Sequence, residues 1–152
     1  MVDTASLRGF NDRLKISLYR VIEDLTNDQL EYSAAAIDER SIAEVAIHAN
    51  ESLLGFTLCA AGYSWPEAQN IPITVAGLLL RFNETHELID QTLASLPEGT
   101  LESTFLLPWG QEVAAFEAIA DGLAHGLLHV GAIEGIRAIG GFPIPPEIYT
   151  EA

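Results

Sequence analysis

Four histidines are the residues best suited to do chemistry in this chain: His48, His86, His125 and His129. His125 and His129 stand four apart in a segment of helical periodicity, so their side chains lie one above the other on one face. That spacing lets two imidazoles reach one divalent cation. The shared face also carries Ala118, Gly122, Ala132 and Ile136, small or apolar residues rather than Glu and Lys, so the two rings are not simply solvated. Gly122, Gly126, Gly131 and Gly135 lie in the same segment. A glycine inside a helix costs about 1 kcal/mol relative to Ala, so four of them call for close helix packing or for room beside a ligand.

A metal site usually needs a third protein ligand, and His48 is the best placed. It sits mid-way along an earlier helical segment, beside Val45 and Ser52 at the edge of the apolar face. Three His with one or more open positions match the catalytic pattern of metal sites, not the closed structural one. Neutral imidazole suits Zn, Ni, Fe and Cu alike, so ligand type does not choose the metal. Glu51, three residues beyond His48, could be a fourth ligand, a partner behind the ligands, a proton shuttle or an exposed helix carboxylate. His86 falls on an apolar stripe and reads as a core or surface histidine; it is the reserve ligand if His48 points away. Cys59 is eleven residues past His48, about three turns or roughly 16 Å along a helix, too far to share the metal. Trp65, Trp109 and Tyr63 fall on connections and could wall a pocket or simply pack.

Those residues need helices to hold them. Leu7, Phe10, Leu14, Leu18, Val21, Ile22 and Leu25 recur at three and four, which predicts a helix over Thr4 to Leu25. Arg8, Arg13, Lys15 and Arg20 form its solvated face. Thr26 to Arg40 is polar and turn-like. Ser41-Ile42-Ala43-Glu44 reads as a capping box opening a helix to about Ala61, with Ile42, Val45, Ala49, Leu53 and Phe56 inward and Gly62 just past its end. Thr74 is a candidate N-cap for a third helix whose stripe runs Leu79, Phe82, His86, Ile89, Leu93 and Leu96 to the stop at Pro97-Glu98-Gly99. Thr100 to Gly110 reads as a loop, with a short strand or hairpin as the alternative. Gln111 to about Ile139 is helical by Phe116, Ile119, Leu123, Leu127 and Val130, and Gly140-Gly141 with Pro143 ends it. The proline-rich tail is expected to lie across the surface. Four long helices with almost no strand signal predict an all-α fold, most simply a four-helix bundle, and the two longer connections leave room for a crossover.

Composition narrows the function classes. The chain has 152 residues, 49% hydrophobic and 19% charged, which fits one folded domain over 1–152 rather than a disordered or charge-rich coiled-coil chain. Seven Lys and Arg against 22 Asp and Glu leave a net charge of −15. Such a chain repels phosphate backbones and anionic bilayers, so neither nucleic acid nor membrane is an expected partner. Cys59 is the single cysteine, which excludes an internal disulfide and a cysteine-based zinc knuckle. Met1-Val2-Asp3-Thr4 opens no secretory signal and no run of 18 apolar residues exists, so a soluble, cytoplasmic protein is expected.

Ser41-Ile42-Ala43-Glu44-Val45-Ala46-Ile47-His48 early, Ala124-His125-Gly126-Leu127-Leu128-His129-Val130-Gly131-Ala132 late, and Arg137 and Gly140 beyond carry a likeness to a known family. The chain resembles the DinB-like (DinB/YfiT-type) metalloenzyme superfamily, through its helix order over nearly the whole length. The resemblance implies a four-helix bundle with an unusual crossover connection. It also implies a divalent transition metal, such as Zn, Ni or Fe, held by three His of the second and fourth helices, which map onto His48, His125 and His129. Characterised relatives include transferases and isomerases that use low-molecular-weight thiols, and many members are dimers. The resemblance thus points to a small-molecule substrate, a thiol among the candidates, and to a homodimer. In the family the late motif often reads His-Arg-Gly-Gln, whereas this chain has His129-Val130-Gly131-Ala132, so two polar side chains are replaced by apolar ones without loss of a ligand. The rivals to a metal-dependent enzyme of this kind are a metal-dependent hydrolase, a helical bundle that binds a small molecule or partner without catalysis, and a protein whose metal is structural or absent.

Overall fold

The computed structural model describes residues 3–68 and 70–146. Asp3 accepts a hydrogen bond from the backbone N–H of Ser6 and opens α1, Thr4–Ile22. The helix ends three residues short of Leu25, which is nevertheless buried. The polar stretch that follows contains one short 3-10 turn, Asp28–Glu31, whose Leu30 enters the core.

Ser41 and Glu44 form the expected capping box, Ser41 Oγ accepting from Glu44 N and the Glu44 carboxylate accepting from Ser41 N at 2.7 Å. They start α2, Ile42–Ala60, and Gly62 follows with a positive φ of 90°. Thr74 caps α3, Val75–Ala94, by accepting from Gly77 N. The loop expected over Thr100 to Gly110 is instead largely a hairpin, the alternative held open there. Strands β1, Thr104–Leu106, and β2, Glu112–Ala114, are antiparallel, with Phe105 opposite Val113. Gly110, at φ 89°, turns the chain back. The hairpin takes up Gln111 to Ala114, so the last helix, α4, starts later than its periodicity predicts and runs Ala115–Gly140. Gly141 in the left-handed conformation stops it.

Among the described residues the fold is all-α, with four α-helices and this one small sheet. The close helix pairs are α2 with α4, α1 with α3, α1 with α4 and α2 with α3. The consecutive pairs α1–α2 and α3–α4 are not among them, so the chain does not run around the bundle from neighbour to neighbour. Leu14, Leu18, Leu53, Phe82, Ile89 and Ile119 lie in the fully buried centre. Two residues of the expected stripes face outward instead: Phe10 is 51% exposed and Leu127 45%. Asn11 takes the inward place beside Phe10 because its amide bonds α3, and Gly126 takes the place beside Leu127 because Leu14 packs onto it.

Arg137, 1% exposed, ties the end of α4 to the end of α1. It donates to both oxygens of Asp24 at 2.9 and 2.8 Å, to Val21 O at 2.8 Å and to Phe142 O at 3.0 Å. The described part of the tail packs as expected: Phe142 stands edge-on to Tyr32 and Ile144 is buried, while residues 147–152 lie outside the described residues. Among the described residues no helix is long and apolar enough to cross a membrane.

Candidate metal centre

The contact between α2 and α4 brings the histidines together. It is close because Gly122 offers no side chain: a Cβ there would lie 3.1 Å from Leu53 Cδ1 and 3.3 Å from Phe56 Cδ2. Gly126 plays the same part toward α1, where a Cβ would meet Leu14 at 2.5 Å, and Gly135 toward Ile37. Close packing therefore accounts for Gly122, Gly126 and Gly135, three of the four glycines that precede the last residue of α4. Gly131 has nothing within 4 Å.

With the helices at this separation, the His48 ring stands edge-on to His125 at a centroid distance of 5.0 Å and to His129 at 4.9 Å. Nε2 of His125 and Nε2 of His129 are 2.9 Å apart. One ligand atom from each of the three rings falls within 4.8 Å of the other two. The three residues are half-buried, and the group could hold a metal ion. Glu51, Cys59 and His86 are not part of it.

The surroundings favour the neutral form of His48 and of His129. Burial lowers the pKa of His48, and Arg40 and then His125 lower it further, against a smaller opposing pull from Asp38. Burial, His125, His48 and Arg40 together bring His129 to about 4. A neutral imidazole presents the lone pair a metal requires, so the donor set fits a divalent transition metal. Nδ1 of His125 is buried with no hydrogen-bond partner among the described residues. Asp38 is the nearby carboxylate. Arg40 donates to both its oxygens, at 3.0 and 2.9 Å, and from its backbone N–H, which holds Asp38 at about 2. Nothing in the sequence singles out this pair, which lies in a loop and meets His129 only through the fold.

His48 and His125 also line a cleft of about 430 Å³ with Ser52, Phe56, Trp65, Trp109 and Asp121. The three aromatic rings touch edge to face, with centroids 5.4, 6.2 and 5.6 Å apart. Trp65 lies across Gly55 so closely that a Cβ there would run into its ring. Of the three loop aromatics, Trp65 and Trp109 wall this cleft and Tyr63 does not, being 66% exposed elsewhere. Asp121 and Ser52 are site residues that the sequence reading missed. The signal was available, since they stand at four before His125 and four after His48.

His86 belongs to a different place. It is 2% exposed, on α3 against α1, and has no part in the three-His group. Asn11 Nδ2 donates to the His86 carbonyl at 2.9 Å, so Asn11 Oδ1 must accept from His86 Nδ1, at 2.6 Å. Nε2 is left as a bare buried lone pair. Burial is the main cause that lowers this histidine to about 4.

No protein-family model matches the chain, and no curated protein matches it.

Proposed function

We propose that this chain is a divalent-metal-dependent enzyme of the DinB-like kind, working on a small molecule in the cleft beside His48 and His125. The observation that carries the reading is the convergence of His48, His125 and His129, from two helices far apart in sequence, to within 4.8 Å of one another, with His48 and His125 also lining a pocket. Three nitrogen ligands leave further coordination positions for a substrate atom. A divalent cation held there would supply Lewis acidity, lowering the pKa of a coordinated thiol so that it is nucleophilic near neutral pH. The chain's own contribution is to gather the three imidazoles, with burial favouring the neutral form of His48 and His129, and to wall one side of the cleft with Phe56, Trp65 and Trp109. A thiol-dependent transferase or isomerase is the reading this supports best, and a homodimer belongs to the same reading.

Metal analysis of protein purified without a histidine tag tests it. One equivalent of transition metal is expected, lost in His48→Ala, His125→Ala and His129→Ala and kept in His86→Ala. A metal-free protein with intact helical circular dichroism rejects the metal reading and favours a non-catalytic binding bundle. Small thiols should shift the visible spectrum of Co(II)-loaded protein. A spectrum that ignores every thiol tried removes thiol chemistry and leaves hydrolysis. Light scattering at micromolar concentration tests the dimer, which a monomer mass rejects.

A further inference from the structure

The cleft has a chemical character that the three histidines do not explain. Phe56, Trp65 and Trp109 meet at interplanar angles of 84, 85 and 64°, so their faces point in different directions. A stack would suit one flat ring; a corner suits a compact group touched from several sides. Aromatic faces carry negative potential and attract cations. No Lys or Arg lines the cleft, and its one carboxylate, Asp121, has no hydrogen-bond or ion-pair partner among the described residues. The whole chain adds a net charge of −15, a field that concentrates cations and repels anions.

We propose that the cleft binds an organic cation, an ammonium or quaternary ammonium group whose apolar surface lies against Phe56, Trp65 and Trp109 and whose charge is met by Asp121. An anion would meet an unneutralised carboxylate. An uncharged ligand would cover Asp121 and strip its water without replacing it. Asp121 is one turn before His125 on α4 and Phe56 two turns beyond His48 on α2, roughly 6 and 12 Å along the helix axes. The cationic head is thus set apart from the three histidines by a short linker, and the reacting group of the same molecule reaches them. The inference rests on the three-His reading for that reacting end alone.

The chain's two tryptophans, Trp65 and Trp109, both line this cleft, so intrinsic fluorescence reads its occupancy directly. The probes are choline and 3,3-dimethylbutan-1-ol, which share a shape and differ in charge. Choline is expected to bind roughly tenfold more tightly than the alcohol, and Asp121→Asn should bring the ratio down to about two- to fivefold, the share of the aromatic faces. Asp121 is exposed, so this variant should fold, which circular dichroism checks. Equal affinities, or no fluorescence change with either probe at tens of millimolar, overturn the inference. A ratio unchanged in Asp121→Asn overturns the role of Asp121. Metal content measured on the same samples separates the two readings. Choline preference without metal supports the cation cleft and removes the metal enzyme, while metal without choline preference overturns the cation cleft alone.

Discussion

Acidifying the protein should withdraw stability through His86, and the amount follows from its burial. The ring is 2% exposed and its pKa falls from 6.5 to about 4. Between those values the unfolded chain takes up a proton that the folded chain refuses, so the unfolded state binds more protons there. Stability therefore rises with pH across that window; the contribution is complete above about 6.5 and is lost as pH falls through about 4. Each pH step is worth about 1.4 kcal/mol, so the gap amounts to about 3 kcal/mol at full loss, a large part of a typical domain's stability. His129 is lowered over a similar range, so wild type alone does not isolate His86. The comparison is His86→Asn, whose side-chain amide can still donate to Asn11 Oδ1 yet does not titrate. Urea unfolding at pH 7.5, 6.0, 5.0 and 4.0 on metal-free samples of both should show wild type losing about 3 kcal/mol more than the variant over the range. Parallel losses, or a ring NMR titration of His86 near 6.5, would refute the reasoning.

Other outcomes follow from particular contacts. Gly131→Ala should raise stability by about 1 kcal/mol, roughly 2–4 °C in Tm, because the helix position is open to solvent. Gly126→Ala should lower stability, because its Cβ would meet Leu14 at 2.5 Å; a thermal melt of each decides, and like signs would contradict the packing described. Arg137→Met should cost about 2–4 kcal/mol in chemical denaturation, since it leaves the partly exposed Asp24 carboxylate and three carbonyls without their donor. Gly55→Ala should push Trp65 from its seat and shift tryptophan emission while leaving metal content unchanged, because it is not among the three histidines.

What could be read from the chain alone was whatever depends on neighbours within a turn or two. The Ser41–Glu44 box, the Thr74 cap and the Gly141 stop are local hydrogen-bond and backbone requirements, and they stand where the residue types place them. The pairing of His125 with His129 is likewise set by helical pitch. The hairpin was legible only as an alternative, because three-residue strands give too little alternation to outweigh helical periodicity running on from Gln111. Tertiary structure decided the rest. Asn11 rather than Phe10 turns inward because its amide has a partner on another helix. His48 joins the pair, and His86 does not, because Gly122 lets α2 close on α4 while His86 is spent on Asn11. Asp38, Trp65 and Trp109 reach the same neighbourhood from loops. Periodicity along one helix says which residues share a face; which faces meet, and how closely, depends on side-chain volumes contributed by distant segments, and that is settled only when the helices pack.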